Sequence, residues 1–143
     1  MMAIDDILEN FELFDDWEDR YRFVIDLGRE LTPFPEAERT EDNRVRGCTS
    51  RVWLTSRLEG SPRHLFLEGD SDAHIVKGLV AILLSIYSGK TPVEVLQIDA
   101  RAILAKLGLE AHLSPMRTNG LFSMVERIRA IAADYALDSG VTA

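Results

Sequence analysis

The sequence predicts an α+β protein in two layers, with helices packed on one face of a small antiparallel sheet. Three observations carry this. Apolar residues recur at helical spacing near both ends of the chain. Between residues 51 and 68 the period falls to two, interrupted by a turn. The stretch after it, 72–88, is apolar almost all round, as in a helix enclosed by its neighbours.

Ile4, Ile7, Leu8, Phe11 and Phe14 predict a short amphipathic helix over 3–14. A second is predicted over 16–31, with Trp17, Tyr21, Val24, Ile25 and Gly28 on one face. Thr32-Pro33-Phe34-Pro35 stops it, and residues 36–43 are polar enough for a loop. Residues 44–47 form a short strand candidate. From Arg51 to Leu58 the chain alternates, with Val52, Leu54, Ser56 and Leu58 on one face. Glu59-Gly60-Ser61-Pro62 turns it, and Arg63 to Glu68 returns with Leu65 and Leu67 inward, a hairpin. Gly69-Asp70-Ser71-Asp72 is expected to end the sheet and cap the helix over 72–88. Gly89 stops that helix. Thr91-Pro92-Val93-Glu94 reads as a capping box with proline at the first helical position. Short helices follow to Gln97 and over 99–107, the latter ended by Gly108. Ser114-Pro115 is expected to begin a turn that contains Arg117. A terminal amphipathic helix spans 120–137. There are no repeats, linkers or low-complexity segments, so residues 1–143 are expected to form one domain.

The 143 residues are 46% apolar and 28% charged, ordinary for a globular chain. A net charge of −8 argues against nucleic acid, which needs a basic footprint. No apolar run reaches the roughly 20 residues that a membrane helix needs. The first ten residues are acidic and lack a basic region, so no secretory signal is expected. The charge is uneven. Residues 1–30 carry ten acidic and three basic side chains, whereas 39–57 carry five arginines against Glu41 and Asp42.

The basic stretch contains the single cysteine, Cys48. One thiol forms no internal disulfide, and with three scattered histidines it makes a poor metal cage, so neither metal nor cofactor is expected. A lone thiol also fits the reducing cytoplasm. Its polar flanks favour a reactive nucleophile over a packed core residue. Arg46 and Arg51 are expected to supply positive potential that lowers its pKa. Gly47 lets the backbone bend, and the hydroxyls of Thr49 and Ser50 are placed to donate to sulfur. His64, His74 and His112 are at least 16 residues away in sequence. Trp17 and Trp53 read as core or rim aromatics rather than a cofactor box. Arg117 is a loop arginine able to grip an anion or a carboxylate. Three readings follow: a sulfur carrier, a non-catalytic regulatory module with an incidental cysteine, and a Cys–His hydrolase.

The run Arg46-Gly47-Cys48-Thr49-Ser50-Arg51-Val52-Trp53 resembles the cysteine loop of the SufE sulfur-acceptor proteins. Three further segments agree in order and spacing: Trp17 to Tyr21, Gly69 to Leu79, and Leu113 to Leu121. Thr49 and Arg51 stand where glutamines are common in that family. The resemblance spans about residues 8–136. It implies the fold shared with IscU-type scaffold proteins. It implies that Cys48 accepts persulfide sulfur from a pyridoxal-phosphate cysteine desulfurase of SufS or CsdA type. It also implies that the chain stimulates that enzyme and passes sulfur to the iron–sulfur scaffold, as a carrier rather than a stand-alone enzyme. Arg46, Gly47, Thr49, Ser50 and Arg51, with Arg117 on the last loop, are implied to bind or orient the partner. The carrier is expected to act as a monomer or homodimer. Because an exposed persulfide is lost by exchange, Cys48 is expected to lean toward an apolar shelter near the sheet.

Overall fold

The computed structural model describes residues 2–138. Helices α1 (Ile4–Leu13) and α2 (Trp17–Arg29) lead to a 3₁₀ turn at Glu36–Glu38. Strands β1 (Val52–Glu59) and β2 (His64–Ser71) follow, then α3 (His74–Tyr87), α4 (Pro92–Gln97), α5 (Ala100–Leu107), α6 (Leu109–His112) and α7 (Pro115–Asp138).

The predicted helices form because their apolar positions share a face. Ile7 and Phe11 of α1 are buried one turn apart. Asp16 caps α2 by accepting from the Asp19 amide. Arg20 of α2 reaches back to the carbonyls of Phe11 and Phe14, partnering acceptors at the end of α1. The capping box at Thr91 and Glu94 forms as its spacing predicts. Gly108 adopts φ 68° and separates α5 from α6, a helix the sequence pattern did not predict.

Helix α3 is the centre of the molecule, with ten of its fourteen residues buried. It crosses α2 where Gly28 faces Gly78. A Cβ on Gly78 would collide with the Val24 carbonyl, so glycine there sets how closely the two helices approach. On its other side α3 packs on β2. The hairpin is antiparallel, in register from Val52 opposite Ser71 to Glu59 opposite His64. Leu54, Leu65 and Leu67 are buried, the face that alternation assigns to the core. The opposite face carries Trp53 beneath the Arg39 guanidinium and Phe66 beneath Arg57.

Three element boundaries differ from expectation. Residues 44–47 form no strand; Arg44 makes a single bridge to Trp53. Gly69, Asp70 and Ser71 continue β2 rather than cap a helix, because each pairs with a β1 residue. No side chain caps α3. The last helix begins at Pro115, not Gly120, because the Ser114 hydroxyl accepts from the Arg117 amide and Pro115 starts the first turn. Arg117 is therefore helical and not in a loop.

Candidate functional site

Cys48 lies in the bend before β1, on an arm pinned at both ends. Upstream, the Val45 amide donates to the Val52 carbonyl and the Leu54 amide to the Asn43 carbonyl. Arg39 stacks over Trp53 and donates to the Asp70 carboxylate at 2.6 Å. Asp70 is buried, with Lys77 as a second cation at 3.4 Å. Downstream, the Arg51 amide donates to Asp72 Oδ1 at 3.0 Å, and Ser71 Oγ donates to the Arg51 carbonyl at 2.7 Å. The end of β2 thus grips both arms of the cysteine loop.

Between them the chain turns at Gly47 with φ 88°, a conformation that favours glycine. A side chain there would also run into Ser123 Oγ of α7. The turn delivers Cys48 against the N-terminal part of α7. Its Sγ donates to the Gly120 carbonyl at 3.4 Å. A Cβ on Gly120 would lie 3.4 Å from the sulfur, an ordinary contact, so the thiol packs directly on this residue.

The half-buried thiol opens on a cleft of about 240 Å³. Val76 and Leu79 of α3 and Leu121 and Met124 of α7 give it an apolar wall. Thr49, Ser50, Ser114, Met116 and Arg117 form its rim. The shelter is therefore a groove between α3 and α7. It opens beside the loop that enters β1, and no strand residue lines it.

The electrostatics also differ from expectation. Burial pushes the Cys48 thiol above its ordinary pKa, and the Arg44 guanidinium offsets this only in part. The cation that acts on sulfur is thus Arg44, not Arg46 or Arg51. Arg46 is exposed and paired with Glu41 at 3.2 Å. Neither Thr49 nor Ser50 makes a hydrogen bond to sulfur; the thiol's partner is Gly120. Of the residues singled out from the sequence, Cys48, Thr49, Ser50 and Arg117 meet at the groove. Gly47 supports it from behind. Arg46 and Arg51 stand outside its lining.

Sequence reasoning missed Arg44, Gly120 and Met124. Gly120 had one usable signal: a glycine a few residues inside a helix opened by Ser114-Pro115. No histidine lines the groove. His112 stacks on Trp17, His64 bonds the Pro62 carbonyl, and His74 is an exposed residue at the start of α3. Among the described residues no group of three or more His, Cys, Asp or Glu is placed to hold a metal ion. Nor, among them, is any helix long and apolar enough to cross a membrane.

Fold and groove together define an α+β protein organised around one sheltered loop thiol. Residues 5–132 match the SufE family, described as the Fe-S metabolism associated domain. An uncharacterized SufE-like protein of Rhizobium meliloti is 51% identical over 134 residues, covering 92% of this chain and 96% of its own. Another, of Rhizobium etli, is 52% identical over 131 residues, covering 90% of this chain and 88% of its own. A hypothetical protein of Thermus thermophilus, solved in solution, shares the fold with a TM-score of 0.73 at 23% identity, covering 93% of this chain and 97% of that one. The chain belongs to the SufE family, whose domain is associated with iron–sulfur metabolism.

Proposed function

We propose that the protein accepts sulfur on Cys48 from a cysteine desulfurase of SufS or CsdA type and delivers it to an iron–sulfur scaffold. The observation that carries this reading is the lone thiol seated in an apolar groove, within a chain of the SufE family. A persulfide needs both features: an available sulfur, and shelter from stray thiols.

The transfer balances without an outside oxidant. The desulfurase presents Cys–S–SH. Cys48 sulfur attacks the terminal sulfur, the S–S bond to the desulfurase breaks, and a new S–S bond forms on Cys48. The leaving thiolate takes the Cys48 proton, and the sulfur moves at constant oxidation level. Burial raises the Cys48 pKa, so the attack runs through the minor thiolate fraction. The partner's departing thiolate then takes up the proton that Cys48 has released, so the exchange needs no net acid or base.

Docking requires the loop to leave its groove far enough to meet the partner's sulfur. The exposed rim offers Met116 as an apolar contact and Arg117 as a planar fork for a carboxylate or carbonyl. A lone reduced thiol fits an exchange that takes place in the cytoplasm.

The test is intact mass spectrometry after incubation with L-cysteine and a competent desulfurase. One added sulfur atom on the wild type, removed by reductant and absent in Cys48→Ser, supports the reading. Equal stimulation of sulfide release by Cys48→Ser, with no added sulfur on the wild type, would replace the carrier with a regulatory module.

A further inference from the structure

Arg127 lies on α7, two turns beyond Gly120. It is half-buried, and among the described residues no carboxylate lies within ion-pair distance of it. Its guanidinium is instead committed to backbone. Nη2 donates to the Asp42 carbonyl at 2.7 Å, and Nη1 donates to the Arg44 carbonyl at 3.3 Å. Both acceptors belong to the arm that leads to Cys48, more than eighty residues away in sequence.

The spacing on α7 gives these contacts a common direction. Gly120 accepts from the thiol. Ser123 backs the turn at Gly47. Met124 lines the groove. Arg127 grips the arm. Steps of three, four and seven residues fall on one face of a helix. One face of one rigid helix therefore holds the sulfur, the turn before it and the segment before that. Arg44, whose carbonyl Arg127 holds, is also the cation nearest in effect to the thiol.

We propose that Arg127 is a positioning residue that clasps the upstream arm to α7 and so limits how far the Cys48 loop opens from its groove. A fork is required because two carbonyls at different positions are gripped at once. A lysine offers one point charge and reaches only one of them. Outward rotation that carries the upstream arm with the loop stretches both bonds, so the clasp opposes premature exposure of sulfur. This deepens the sulfur-acceptor reading, but its test reads the thiol alone, so either can fail without the other.

Cys48 is alkylated with N-methylmaleimide and with bulky pyrene-maleimide at one pH, in wild type and in Arg127→Lys, Arg127→Gln and Arg127→Met, beside melting curves. The two reagents share one electrophile and differ in size. In Arg127→Met the ratio of bulky to small rates should rise about tenfold, the opening expected from losing two hydrogen bonds of modest net worth. Arg127→Lys and Arg127→Gln should fall between, and either supplies the comparison where Arg127→Met is too unstable to measure. An unchanged ratio across the series overturns the proposal. So does an equal rise of both rates that follows a falling melting temperature, which would make Arg127 a general stability residue.

Discussion

Cys48 and Gly120, 72 residues apart in the chain, meet where the thiol Sγ donates to the glycine carbonyl at 3.4 Å. The contact joins the loop to the first turns of α7. The glycine lies inside a helix, where it ordinarily costs about 1 kcal/mol against alanine.

Gly120→Ala should therefore separate stability from thiol placement. The added methyl favours the helix by up to about 1 kcal/mol and would sit 3.4 Å from Sγ, at ordinary contact distance. The expected outcome is a raised melting temperature with alkylation of Cys48 unchanged or slowed. A melting curve and a maleimide time course check it. Faster alkylation would mean that the methyl displaces the loop instead.

The thiol should also leave a signature in the pH dependence. Its folded pKa is raised by burial, so alkylation should reach half its maximal rate at a higher pH than a model peptide thiol does. Arg44→Met removes the cation that lowers it and should move that midpoint higher still. The native state holds the proton more tightly than the unfolded chain. The stability from this group is present below the unfolded thiol pKa of about 8.5 and declines as pH rises through the folded one. Rate–pH profiles of the two proteins test the shift, and Cys48→Ala should flatten the decline in stability.

Arg117→Ala should leave the fold intact while weakening action on a desulfurase. Arg117 is exposed in the first turn of α7, and the capping bond to Ser114 uses its backbone amide, which alanine retains. The stability change should stay within about 0.5 kcal/mol. A docking arginine can cost about 2 kcal/mol of binding when truncated. Melting temperature and half-saturation of desulfurase stimulation are measured together. A large fall in the first with no change in the second would assign Arg117 to structure.

Gly78→Ala should be among the most damaging single methyl additions. The new Cβ would overlap the Val24 carbonyl of α2, a backbone atom that no rotamer change can move aside. Overpacking against side chains costs about 1–3 kcal/mol, and a backbone clash should reach the upper end or exceed it. Chemical denaturation provides the number. A midpoint within error of wild type would mean that α2 and α3 shift apart freely.

The chain by itself determined the local elements and singled out one thiol. Ile7 with Phe11 marked a helix, the alternation from Val52 to Leu58 marked a strand, and Thr91 with Glu94 marked a cap, because each signal lies within a few residues and depends on local backbone geometry. Cys48 stood out for a similar reason: it is the only thiol, and its flanks are polar. Ser114-Pro115 was equally local, yet the same residue pair opens turns and helices, and packing of Leu121, Met124 and Ile128 into the core favours the helix. The environment of the thiol required the tertiary structure. Val76, Leu79, Gly120 and Met124 come from two helices distant in sequence, and only their packing creates the groove. The direction of the thiol pKa followed from that packing. Arginines adjacent in sequence predicted a lowered value, but Arg46 turns outward to Glu41, and burial outweighs the remaining pull of Arg44. Charge acts through distance and dielectric, and both are set by the fold rather than by neighbourhood along the chain.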